Sequence, residues 1–356
     1  MAPTDAYRAI AGQAKPRGLA VAGHVPVFVT AEEASTSGQR SFEHLGGGWS
    51  GMLVYASREE AALRAELVSR AADPDEENGN GFARLQRAEW VNRLVDTFDP
   101  AKMDSLAALL ARNGTYQTPT LALMRSAGQI PDGSFATSDR ARFVPLKVRP
   151  HVGNPNGRWW KRFTSDDTAA WRRRGEMHTR IVQALHSAGV PFLTGSDSGP
   201  EGGLPPGIGI HDELQALVEA GLTPAEAPGA ATLNPASYLE ATDSLGTVAP
   251  GKLADLVLLS ANPLEDIRDT LKIGAVVLNG RYLDRLALDA LLSEAEQAAS
   301  RQSRALRPAH HGVSGHPSRA RRRRATSRSA GTRRRWRRCG WRTSVTWPTS
   351  AGACAR

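Results

Sequence analysis

The sequence predicts an α/β fold: a parallel sheet or barrel wrapped by helices, with a small β element appended. Three observations predict it. Short apolar runs, LAVAGHVPV at 19–27, SFEHL at 41–45, TYQTPTLAL at 115–123 and VPFLTGSD at 190–197, have the length of buried strands. Capped helical segments separate them, and repeated strand–helix–strand order argues for parallel pairing. After residue 245 the texture changes. GTVAPGKLADLVLLS and IGAVVLNGRYL read as strands joined by Pro-Gly and Asn-Gly turns.

Each element has a local reason. Residues 4–14 form a helix, capped by Thr4 or Asp5, with Tyr7, Ile10 and Ala11 on one face and Pro16 and Gly18 ending it. Residues 30–38 form a short capped helix, and 57–72 a longer one with Arg and Glu spaced for side-chain pairs. DPDEENGNG at 73–81 is a loop. Two helices follow at 82–98 and 100–113, the second stopped by Gly114. The stretch 126–163 is rich in Pro, Gly and Arg, the texture of a lid or a disordered loop. Residues 165–188 form a long helix closed by Gly189. HDELQALVEAG at 211–221 is the next helix. Thr223, Pro224 and Glu226 then make a capping box, and Asn234 opens a further helix in the same way. Pro228 falls inside the helix begun at Pro224, so a break at Ala227 is expected, at a cost of roughly 3 kcal/mol.

The net charge of +9 over 356 residues is an average of two unlike parts. Residues 301–356 hold 16 Arg and no Lys, Asp or Glu, which leaves 29 basic against 36 acidic residues before them. The tail, with RARRRR, RRRWRR and three Trp, has the residues of a nucleic-acid arm. Its restricted alphabet favours instead an unselected or frameshifted segment, and a solvated disordered tail is a third reading. Nucleic acid is therefore not the expected partner. Both cysteines, Cys339 and Cys354, lie in the tail, so the body offers neither disulfide nor thiolate metal site. No apolar run approaches the roughly 18 residues of a membrane span. MAPTDAYRAIAG has no signal-peptide core. A cytoplasmic chain is expected.

His24, His44 and Asp197 each stand at the C-terminal end of a strand. In a parallel barrel those ends open on one face, which carries the active site. Imidazole and carboxylate together suit zinc or a similar divalent ion. The bland readings compete: a histidine after a strand is more often structural, and Asp in GSDSG more often a turn or cap residue. His211 either touches substrate or begins its helix facing solvent. Tyr116 packs in the core or points into the mouth of the sheet. Trp159 and Trp160 cover a pocket or pack their loop, while His178 and His186 read as packing or helix-surface residues, and His151 has no evident partner.

LAVAGHVP, SFEHL, PFLTGSDSG, IHDELQALVEAGLTPAEA, AATLNPASYL and GTVAPGKLADLVLL, in that order, resemble the amidohydrolase superfamily, in particular its imidazolonepropionase and Xaa-Pro dipeptidase-like branch. The likeness covers about residues 4–290. It implies a partial (β/α)8 barrel, equivalent to strands 5–8, over residues 1–240 and the C-terminal strands of a small β-sandwich over 241–290. By composition, residues 291–356 read as an Arg-rich tail, disordered or frameshifted. It implies that His24 matches the strand 5 metal ligand and His44 the strand 6 ligand, serving one ion of a binuclear pair. Asp197 then matches the strand 8 ligand, which serves the other ion and handles the proton. The cofactor implied is a divalent metal, Zn2+ first. The activity implied is hydrolysis of a carbon–nitrogen bond in a small-molecule amide, cyclic amide or dipeptide. Nothing before His24 reads His-x-His, and Lys15, the first lysine, sits at a helix end. Weak or absent metal retention is expected, along with association through open sheet edges, possible as a homo-oligomer. The alternative is a noncatalytic fragment or interaction protein with a basic tail.

Overall fold

In a computed structural model of the chain, residues 4–47, 51–71, 85–129, 138–146, 149, 163–198 and 204–301 are described. The loop expected at 73–81, His151, Trp159, Trp160 and the Arg-rich tail from residue 302 lie outside them. The N-terminal elements are α1 (Thr4–Ala14), β1 (Val21–Gly23), α2 (Ala31–Thr36), β2 (Gln39–Glu43), α3 (Gly51–Tyr55), α4 (Glu60–Ala71), α5 (Ala88–Asp96), α6 (Pro100–Asn113) and β3 (Tyr116–Thr118). Then come α7 (Leu121–Gln129), α8 (Ser165–Ser187), α9 (Gly209–Glu219), α10 (Glu226–Ala231) and α11 (Leu233–Tyr238). The chain continues with β4 (Leu256–Leu259), β5 (Ile273–Leu278), β6 (Arg281–Leu283) and α12 (Arg285–Arg301).

Strands β1, β2 and β3 form a parallel sheet in that order, with Ala22 beside Ser41 and Phe42 beside Gln117. The fourth expected strand is reduced to a single parallel bridge between Phe192 and Gln117. The Gln117 N–H donates to Pro191 O and the Leu193 N–H to Gln117 O, each at 2.9 Å. Helices cover the sheet. Phe42, Leu53, Leu63, Leu94, Leu110, Ile181, Leu185 and Leu217 are fully excluded from water, each burial contributing roughly 1.5–3 kcal/mol.

Local chemistry explains the starts and stops. The Thr30 hydroxyl accepts the Glu33 N–H at 2.9 Å and opens α2. Asp99 caps α6, which Gly114 ends at φ 64. Thr164 and Asp167 form a reciprocal capping box on the 23-residue α8. Asn279 and Gly280, both at positive φ, make the tight turn between β5 and β6.

Several expectations are corrected. The apolar run at 115–123 is strand only to Thr118. Pro119 and a left-handed Thr120 turn the chain into helix α7, because the residue before proline disfavours helix and the one after it does not. Pro228 does not break its helix. The bonds on either side, Ala227 N–H to Thr223 O and Gly229 N–H to Ala225 O, persist, so proline removes one bond and the helix runs to Ala231. Asn234 does not cap α11. Its amide donates to Phe192 O at 2.8 Å. Helix α3 was unforeseen. Gly51 starts it at φ 21, where a Cβ would lie 2.3 Å from Leu45 O.

Residues Met1–Leu306 group as one compact unit. Helix α12 crosses the boundary expected at 290, so residues 291–301 are helical and not part of a disordered tail. The antiparallel sheet β4–β5–β6 leaves Val257, Leu258, Leu278 and Tyr282 exposed. Among the described residues, no helix is long and apolar enough to cross a membrane.

Candidate functional site

The C-terminal ends of the parallel strands lie on one side of the sheet, where open α/β sheets bind ligands. His24 directly follows β1, His44 follows β2, Thr120 stands two residues beyond β3, and Asp197 lies five residues after the Phe192 bridge. Three of these turns carry residues at left-handed φ: His44 at 51, Leu45 at 56, Thr120 at 51 and Asp197 at 43. Left-handed backbone is uncommon outside glycine and costs of order 1–3 kcal/mol, most for a β-branched residue such as Thr120. Such strain persists where surrounding contacts over-determine it, and functional sites concentrate it.

His44 is the centre of the group. Its Nδ1 lies 2.7 Å from Thr120 Oγ1. The Thr120 hydroxyl also lies 2.8 Å from Pro119 O. The Thr120 contact orients the imidazole, whose other nitrogen, Nε2, faces Asp197 Oδ2 at 3.4 Å. The ring resists protonation: burial lowers its pKa most, and the neighbouring His24 lowers it further, while Asp197 and Glu43 pull the other way. Burial thus disfavours the charged imidazolium that an ion pair with Asp197 would need.

His24 stands beside this pair, its ring edge-on to His44 with centroids 4.9 Å apart. His24 and Asp197 are exposed, so the group opens to solvent. The structure thereby brings the three residues singled out in the sequence into one chain of contacts. Among the described residues, no group of three or more His, Cys, Asp and Glu side chains is gathered closely enough to hold a metal ion.

His211 lies elsewhere. It is half-buried at the start of α9, and its Nδ1 meets Thr270 Oγ1 at 3.0 Å. Burial lowers its pKa most strongly. Tyr116 packs edge-on against Tyr238 with centroids 5.2 Å apart.

Sequence reasoning missed the residues that hold these groups in place. Thr120 orients His44. Gly47, at φ 124, lies where a Cβ would sit 3.0 Å from His24 Cβ. Gly195 lies where a Cβ would sit 2.6 Å from Thr118 Cγ2, letting the Asp197 turn close on β3. Asn234 ties the same segment down through Phe192 O, and the Thr194 N–H donates to Ala230 O at 2.9 Å. The glycines beside each candidate ligand were the available signal. Thr120 gave none.

Comparison with known proteins finds partial similarities. Residues 135–283, which contain Asp197 and His211, match the model of the amidohydrolase family. The adenine deaminase 2 of Jannaschia sp. (strain CCS1) is 36% identical over 111 residues, covering 30% of this chain and 18% of that protein. The ochratoxinase of Aspergillus niger is 39% identical over 95 residues, covering 26% and 18%. A solved bottromycin amidohydrolase superposes with a TM-score of 0.59 at 22% identity over 82% of this chain and 56% of its own, a likeness of fold. The chain thus spans under a fifth of the curated relatives and little more than half of that structure. A Xaa-Pro dipeptidase structure matches 78% of this chain and 48% of its own at 20% identity, with a TM-score of 0.44. Residues 135–283 are thus similar to the amidohydrolase family.

Proposed function

We propose that this chain carries part of the active site of a metal-dependent hydrolase that cleaves carbon–nitrogen bonds in small amides, cyclic amides or dipeptides. In this reading β1, β2, β3 and the Phe192 strand are four strands of a (β/α)8 barrel, and β4–β6 belong to a β-sandwich. The observation that carries the reading is that His44 Nε2 stands 3.4 Å from the Asp197 carboxylate with the His24 ring beside it, all at strand ends. Imidazole and carboxylate together are donors that suit zinc.

The fit is partial. His44 and Asp197 would supply two positions, and His24 is the neighbouring imidazole that would move to give a third. A divalent ion there would polarise the scissile carbonyl. Asp197, exposed, would accept the proton of the attacking water and return it to the leaving nitrogen. Thr120 would hold the orientation of the His44 ring.

Two measurements test this. In a version of the protein carrying the remainder of the fold, Asp197→Asn is expected to abolish amide hydrolysis while leaving the circular dichroism spectrum unchanged, and normal turnover would refute the assignment. In the chain itself, titration with zinc is expected to show weak binding that His44→Ala weakens at least tenfold. Equal binding by that variant would remove the cation site.

A further inference from the structure

We propose that the Asn279–Gly280 turn is a self-modification site: the Gly280 backbone nitrogen displaces ammonia from the Asn279 side chain, and the isoaspartate that results unpairs strand β6.

Two Asn-Gly pairs lie among the described residues, and they are built differently. Asn113 and Gly114 end helix α6. Asn113 Nδ2 donates to Ser35 Oγ at 2.8 Å, and the Gly114 N–H is spent on the carbonyls of Leu110 and Ala111. Both groups that would react are held. Asn279 and Gly280 form the two-residue loop between β5 and β6, at φ 51 and 75, and both are exposed. Among the described residues neither the Asn279 side chain nor the Gly280 N–H makes a hydrogen bond, because in such a loop the flanking pair, Leu278 and Arg281, carries the ladder. The Asn279 N–H donates to Asp255 Oδ1 at 2.7 Å, a tether that leaves both reacting groups free. Glycine puts no side chain beside the attacking nitrogen, and even a Cβ built on Gly280 would meet nothing within 4 Å.

The chemistry balances with water as its one co-reactant. Solvent base removes the Gly280 N–H proton. The nitrogen attacks Asn279 Cγ and closes a cyclic imide, and the Cγ–Nδ2 bond breaks, releasing ammonia with a proton from water. Water then opens the imide at either carbonyl. Opening at Cγ gives aspartate. Opening at the Asn279 main-chain carbonyl gives isoaspartate, in which the backbone runs through the former side chain. No electrons change hands.

Isoaspartate adds a methylene to the backbone of a loop whose twist matches its strands at the native length. Strand β6 is three residues long and stands at the edge of its sheet, paired to β5 through Leu283 with Val276, Tyr282 with Val277 and Arg281 with Leu278. A displaced turn therefore releases it. A new carboxylate also arrives on the loop that Asp255 already contacts, and like charges repel.

The test incubates the folded chain for weeks in neutral buffer at physiological temperature, beside chain unfolded in guanidinium, with trypsin digestion at mildly acidic pH. Trypsin releases residues 273–281 and 113–125 as separate peptides. In the folded chain a growing fraction of 273–281 is expected to carry OH in place of NH2, as isoaspartate and aspartate together by electron-transfer fragmentation, while 113–125 keeps its amide. Ion exchange separates the converted chain by its added negative charge, and amide hydrogen exchange at Arg281–Leu283 is expected to be faster there than in the unconverted chain. Asn279 left intact in the folded chain while the unfolded chain converts, or aspartate formed without isoaspartate, overturns the site. Equal conversion of Asn113 overturns its structural basis. Unchanged exchange in β6 of the isoaspartate chain overturns the effect on the strand.

Discussion

Replacing Glu213 with glutamine is expected to change how stability depends on pH. Burial pushes this carboxyl group from 4.5 to about 7. Between those values the folded chain holds a proton that the unfolded chain releases. Stability therefore falls as pH rises through this window and levels off above about 7. The displacement corresponds to about 3 kcal/mol, a large part of the 5–15 kcal/mol typical of a folded domain. A scan of the wild type alone would mix this with an opposing contribution. His178, buried beside Arg174 on α8, is pushed down from 6.5 to about 3, so it favours the folded state increasingly as pH rises from about 3 to 6.5. The difference between Glu213→Gln and wild type cancels the histidine. Urea unfolding followed by circular dichroism at pH 4.5, 5.5, 6.5 and 7.5 is the assay. Relative to wild type, Glu213→Gln should gain up to about 3 kcal/mol between pH 4.5 and 7.5. Parallel curves for the two proteins would refute the buried, proton-holding carboxyl group.

The remaining predictions concern the site. Thr120→Val removes the partner that orients His44 and should weaken zinc binding about 10–100-fold, measured by competition with a chromophoric chelator. Gly195→Ala drives a Cβ to 2.6 Å from Thr118 Cγ2 and should destabilise the chain by about 1–3 kcal/mol in urea unfolding. Gly47→Ala combines a φ of 124 with a 3.0 Å approach to His24, and the His24 NMR signals should shift even where the chain stays folded. Asn234→Ala removes the donor to Phe192 O and should cost about 1 kcal/mol, with faster hydrogen exchange at Gln117 and Leu193.

The sequence made the periodic and punctuated features readable. Helix α6 spans the residues expected and stops at Gly114, because a left-handed glycine is local chemistry, and helix α1 covers residues 4–14 as expected, with Gly18 closing the short turn that follows it. His24, His44 and Asp197 were identifiable as candidates because each closes an apolar run. Their mutual distances were not legible, since those depend on the parallel register of strands far apart in sequence. Thr120 and Glu213 escaped for a related reason. A threonine at φ 51 looks in sequence like any strand or cap threonine, and a glutamate on an amphipathic helix reads as solvent-facing until the helix packs. Asn234 was misread because its local pattern fits a cap, and a tertiary partner outcompeted the local one. Residues 291–301 were placed with the tail, although Glu294 and Glu296 set them apart from its acid-free composition.

The Phe192 bridge has a dynamic consequence. Its partner Gln117 is 75 residues away, and the entropy of closing that loop is offset by the burial of Val190 and Phe192 in the main core and by Asn234, more than by the one bridge. His24, His44 and Thr120 instead follow strands of a continuous three-stranded sheet. Asp197 is thus held by side-chain packing where the imidazoles are held by a strand ladder, so the Asp197 turn should exchange its amide hydrogens before β2 does.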